Sequence, residues 1–364
     1  MTAIAGSAVL AAAVWAAPAH LPGPPQFITL PPDATVNTTG SGTVPTWTGS
    51  FEYRGKMFTF AMVGTNPALG SATTTVPVEV VPVIFKFSNG VSLDPTANSC
   101  GDTASAVGRV MNSPVFQTAN YTPGGTNVGT TQYEDAFQRA NFWNFVSTSA
   151  LNYHVLLAST LEPAVTINVP ALLGQAVAGP CSGSGTVNNG DIGLVAVNAF
   201  QFVLKNLLAP KYPSNTLPIF LFYNTFFYQG NPNNCCILGF HTAFGTAPNQ
   251  LTVAVAAFSD AGIFDVPIED IHALTHEIGE WMDDPFVNNA VPGWKGGQVG
   301  ACSFVLEVGD PVTGIASDVT MNGFTYHPED LVFLPWFEKA SAPTTSVNGW
   351  YTFLNSFSAP KFCF

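Results

Sequence analysis

The residues best placed for chemistry are His276, Glu277 and Glu280 in the pentapeptide HEIGE. Positions four apart share one face of a helix, so His276 and Glu280 can hold one cation while Glu277, beside them, handles protons. Hydrolysis at such a site needs a few fixed ligands, one position left for water, and a carboxylate able to take that water's proton. A third ligand must come from elsewhere. Glu307 and Asp310, in the segment LEVGD, are the candidates: Glu307 foremost as a ligand, Asp310 as a ligand or as the hydrogen-bond partner that orients His276. His272, one turn before His276, is a further candidate.

Charge economy favours a cation over a plain polar helix face. Only 9% of the 364 residues are charged, against about 25% in an average soluble domain. Yet Glu269, Asp270, Glu277, Glu280, Asp283 and Asp284 crowd together with no Lys or Arg among them. Like charges at helical spacing repel, and a bound cation relieves that repulsion. Glutamate in place of a second histidine weakens the metal as a Lewis acid. It also widens the choice from Zn²⁺ towards Ca²⁺ or Mn²⁺.

The elements around HEIGE must position it. A helix is expected from Val266 to Met282, capped by Asp265 and ended by Pro285, which pushes Asp284 out of helical geometry. Upstream, TWTGSFEY and MFTFAMV flank Arg54-Gly55-Lys56 as a hairpin, and Val76–Phe87 reads as a strand whose Pro82 marks an edge or a bulge. Ala104–Ser113, Gln132–Phe145 and Asn198–Leu208 carry helical periodicity. Leu217–Tyr228, Cys236–Phe244 and Leu251–Phe258 read as strands. This order predicts an α+β fold, a zincin-like mixed sheet with an active-site helix and a C-terminal subdomain.

Composition bounds the partners and the compartment. A net charge of −13, with Arg54, Arg109 and Arg139 scattered, makes nucleic acid and anionic membrane poor partners. No stretch after the N-terminus is long and apolar enough for an integral membrane segment. Residues 1–20 resemble a signal peptide, although no Lys or Arg precedes their apolar run; residues 21–45 form a Pro- and Thr-rich extended lead, and residues 46–364 one domain. The six cysteines lack CxxC spacing and are expected to form disulfides in a secreted protein, the alternative being reduced, buried thiols. Because a bond between neighbours is strained, Cys235 and Cys236 are expected to take different partners.

The segments HEIGE, DPFVN (Asp284–Asn288), Trp294, EVGD (Glu307–Asp310) and FTYHPEDLVFLPWF (Phe324–Phe337), with CILGFH (Cys236–His241), resemble the EXORDIUM, or phosphate-induced, family of extracellular proteins. The likeness covers residues 215–340. It implies a secreted protein with a metallopeptidase-like core. Two expectations follow: a secreted zinc metallopeptidase in which Glu277 activates a metal-bound water for attack on a peptide or protein, or a non-catalytic extracellular protein with a structural cation that binds cell-wall polysaccharide. His241 and His327 either approach the metal helix or satisfy buried polar positions.

Overall fold

Valine, isoleucine and aromatic residues dominate the stretches that build the main sheet, and most of them are fully buried, as expected of strands covered on both faces. The structure, a computed structural model, describes residues 21, 23–99, 101–179, 190–341, 346–359, 361 and 363. The signal-like segment 1–20, Cys100 and Cys181 lie outside the described residues.

The fold is α+β. Its main sheet is mixed: Leu217–Tyr223 runs parallel to both Thr73–Phe87 and Leu251–Phe258, and Gly239–Phe244 pairs antiparallel with Leu251–Phe258 as the edge strand. A second sheet of four strands joins Cys235–Ile237, Thr225–Tyr228, Ile192–Ala196 and Gly174–Val177. Thr46–Tyr53 and Lys56–Val63 form the expected hairpin, turning through left-handed Arg54 and Gly55. One apolar cluster extends from Phe27 to Phe353. Among the described residues, no helix is long and apolar enough to cross a membrane.

Four expectations need correction. Leu217–Tyr228 and Cys236–Phe244 are each two strands, parted at left-handed Asn224 and at Leu238, with one part in each of the two sheets. Pro82 marks neither an edge nor a bulge, because it sits inside the long strand Thr73–Phe87 opposite Leu221. On the other side, pairing with His154–Leu161 stops at Val80 and pairing with Val165–Val169 starts at Val83. Proline's missing N–H therefore falls in a gap between two successive partners. The helix bearing HEIGE begins at His272 rather than Val266. Asp270 has a left-handed φ of 43°, and its N–H donates to the Ser259 carbonyl, so the preceding residues leave helical geometry and Asp265 caps nothing. The end falls where Pro285 requires, with Asp284 at φ −143°. Finally, Cys235 and Cys236 are bonded to each other, their Cα atoms 3.1 Å apart across a cis peptide, while Cys302 pairs with Cys363.

Candidate metal centre

The helix His272–Asp283 is buried along its whole length, against the strands Gly239–Phe244 and Leu251–Phe258. Trp281 fixes it by donating from Nε1 to Thr252 Oγ1 at 2.9 Å. Two glycines allow the site to close around it. A Cβ on Gly309 would lie 2.4 Å from the His276 ring, and one on Gly239 would lie 2.8 Å from Glu277 Oε1. Only residues without side chains let the LEVGD loop and the edge strand come this near.

His276 is oriented from behind. Its Nδ1 lies 2.7 Å from Glu329 Oε2, which fixes the Nδ1–H tautomer when the ring is neutral and turns the Nε2 lone pair forwards. There it meets only acceptors, with Glu280 Oε1 at 3.1 Å and Asp310 Oδ1 at 3.7 Å. The neutral ring makes no hydrogen bond to either; although burial disfavours its charge, the Glu280 and Glu329 carboxylates raise His276 well above its ordinary range, and a protonated Nε2 would donate to Glu280. Glu280 Oε1 also accepts the N–H groups of Gly309 and Asp310, both at 3.2 Å, which ties the loop to the helix.

A second histidine repeats the pattern across Glu280. His241 Nε2 lies 3.1 Å from the Asp284 carbonyl, while its Nδ1 is hydrogen-bonded to Glu277 Oε2 at 3.4 Å and lies 3.6 Å from Glu280 Oε2. Ligand atoms of His276, Glu280 and Asp310 lie within 4.8 Å of one another, as do those of His241, Glu280 and Glu307. Glu280 thus belongs to both groups.

All five residues proposed from the sequence converge here, each buried. The loop carboxylates divide differently from expectation: Asp310 stands beside His276, and Glu307 stands on the His241 side, close to Glu280. His272 points to the rear, its Nε2 3.3 Å from Glu329 Oε2. His327 belongs to another cluster, 2.6 Å from Asp270. Sequence reasoning missed Glu329, fully buried behind His276. Adjacent carboxylates at Glu329 and Asp330, inside an apolar run of a charge-poor chain, were the available signal.

Electrostatics shows how crowded the site is. Burial, and then the charge of Glu280, raises Glu307 and Asp310 well above the usual carboxylate range. Burial pushes Glu277 up to about 7 despite its contact with His241. Burial acts on Glu280 in the same sense, but His276 and His241 outweigh it and hold Glu280 at about 2. Glu277 Oε1 and Glu307 Oε1 remain without hydrogen-bond partners. Buried acceptors facing acceptors are costly unless a proton or a metal ion lies between them. One imidazole, two or three carboxylates and unmatched lone pairs form the donor set of a hard to borderline divalent cation.

No protein-family model matches the chain, and no curated protein or solved structure does either.

Proposed function

We propose that the protein is a secreted, metal-dependent hydrolase with a zincin-like site, acting on peptide bonds. The observation that carries this reading is geometric: His276, held from behind by Glu329, turns Nε2 towards Glu280 and Asp310, and ligand atoms of the three lie within 4.8 Å of one another. A proton on Nε2 would satisfy its contact with Glu280. It would leave Glu277 and Glu307 with unmatched oxygens in the same buried space.

His276, Glu280 and Asp310 would hold the cation, with Glu307 and His241 across Glu280. Zn²⁺ is the first choice and Ca²⁺ or Mn²⁺ the alternatives. A bound cation would polarise a water and stabilise developing negative charge on a carbonyl oxygen. Glu277, which burial raises above the ordinary carboxylate range, stands beside the cation position and would serve there as the base for such a water. Glu329 orients His276, and the Gly309 and Asp310 amides hold Glu280. The two described disulfides fit an oxidising compartment, as does the resemblance to EXORDIUM proteins.

The test is metal content with a kinetic partner. Purified protein should carry stoichiometric metal, identified by anomalous scattering, that is lost in His276→Ala. Glu277→Gln should keep the metal and lose hydrolysis of a quenched peptide library. Metal-free wild type with an intact fold would refute the reading. A second reading, a non-catalytic protein with a structural cation and a polysaccharide partner, is favoured by one observation: the site is buried and Phe27 covers His276. In that case Glu277→Gln changes nothing measurable.

A further inference from the structure

The Pro- and Thr-rich lead runs as extended chain beside the sheet edge. Gln26 forms a parallel bridge with Ile237 and Asp33 one with Phe244; seven residues separate each pair along its own segment, so the lead meets both ends of the edge in the same register. Backbone bonds hold both ends. Gln26 N–H donates to the Cys236 carbonyl at 3.0 Å and Leu238 N–H to the Gln26 carbonyl at 2.9 Å; Asp33 N–H donates to Ala243 at 2.9 Å and Gly245 N–H to Asp33 at 3.0 Å.

Between these ends the lead crosses the candidate centre. The Phe27 ring stacks on His276 with centroids 3.5 Å apart and planes 9° from parallel. The Gln298 amide clamps the backbone of Phe27, its Oε1 accepting the N–H at 2.6 Å and its Nε2 donating to the carbonyl at 3.3 Å. The same Nε2 donates to Asp310. Further along, Lys205 binds Asp33. Backbone bonding to a sheet edge plus a side-chain amide that grips N–H and C=O is sequence-independent recognition of an extended peptide. Stacking on His276 selects for an aromatic side chain at one position.

We propose that the edge Gly239–Phe244, with Gln298 and Lys205, is a binding track for an extended peptide, and that the chain's own residues 23–33 occupy it as a strap closing the metal centre. An external peptide takes the strap's place with an aromatic residue over His276 and an acidic one near Lys205. That the covered centre is a metal site rests on the function proposed above; the track itself does not. Displacing the strap lifts the Phe27 ring from His276 and frees the Gln298 amide, which also contacts Asp310, from the Phe27 backbone.

The experiment cuts the strap from the body. A specific protease sequence is inserted between exposed Gly40 and Ser41, and the full chain is cleaved there after folding. A fluorescent peptide of residues 23–36 should then bind the cleaved chain by exchange and not the intact one. The Phe27→Ala peptide should bind at least tenfold more weakly. In zinc-loaded protein, a coloured chelator should strip metal at least tenfold faster after cleavage. Failure of the peptide to exchange into folded, cleaved chain overturns the proposal, as does loss of the fold on cleavage. Hydrogen exchange in the intact chain gives a second reading. Gln26 and Leu238 amides should exchange faster than those of Val253–Ala257, and equal protection also overturns the strap. If zinc binds neither form while the peptide exchanges, the hydrolase reading fails and the track stands.

Discussion

Two acidic clusters lie close in sequence and differ in kind. Around His276, Glu277, Glu280, Glu307 and Asp310 are buried, and one oxygen each of Glu277 and Glu307 has no hydrogen-bond donor among the described residues. Around His327, each carboxylate with a described contact has a donor. Asp270 accepts the His327 and Ile271 N–H groups and sits 2.6 Å from His327 Nδ1. Asp102 is held below its ordinary range by its hydrogen bonds to Arg109. Asp260, raised by burial, accepts from Tyr223 and Asn224. The number of carboxylates therefore does not make a cation site. What matters is whether burial leaves acceptors without donors, since only those acceptors gain from an ion.

The contrast breaks if metal follows the wrong histidine. His276→Ala should reduce bound metal from stoichiometric to none after dialysis, and His327→Ala should leave it unchanged, by elemental analysis of both variants. Chelation should next lower the melting temperature of wild type by roughly 5–10 °C when the metal had been about a thousandfold above its Kd. The His327→Ala variant should show the same drop and His276→Ala none.

Finer tests address the supporting residues. Glu329→Gln should weaken metal binding by about 10- to 100-fold, because it loosens the orientation of His276 without removing a ligand. Competition with a calibrated chelator measures this, and unchanged affinity would separate Glu329 from the site. Gly309→Ala should destabilise the fold by about 1–3 kcal/mol in urea, since its Cβ would lie 2.4 Å from the His276 ring. Gly300→Ala, with nothing within 4 Å of its Cβ, is the near-neutral control.

The smallest effect belongs to the strap. Asp33 is lowered to about 2, chiefly by its hydrogen bond to Lys205 and then by those from Thr35. A carboxylate depressed in the folded state adds stability that is complete above its ordinary value near 3.8 and disappears as pH falls through about 2. The stability difference between wild type and Asp33→Asn should accordingly be full at pH 5 and shrink between pH 4 and 2. A difference that stays constant over that window would show that the Lys205 contact does not hold the lead.

Much of the fold was legible in the sequence, because apolar period and turn residues act locally. The hairpin around Arg54-Gly55, the strand Leu251–Phe258 and the end of the site helix at Pro285 all followed from residues within a few positions. The misses had distant causes. Pro82 is tolerated because two other strands part beside it. The helix starts late because Asp270 is bonded to Ser259 and His327, and neither contact is visible from the local pattern.

The candidate centre divides along the same line. By itself the sequence determined which residues could bind a cation on one helix face, since a spacing of four is a property of the helix, and it pointed to Glu307 and Asp310 through sparse charge. Only the tertiary structure decided that Asp310 stands beside His276 while Glu307 and His241 stand across Glu280. It alone placed Glu329 behind His276 and laid Phe27 over it. Those relations join residues tens to hundreds of positions apart, and they depend on how the sheet, the helix and the lead pack in space.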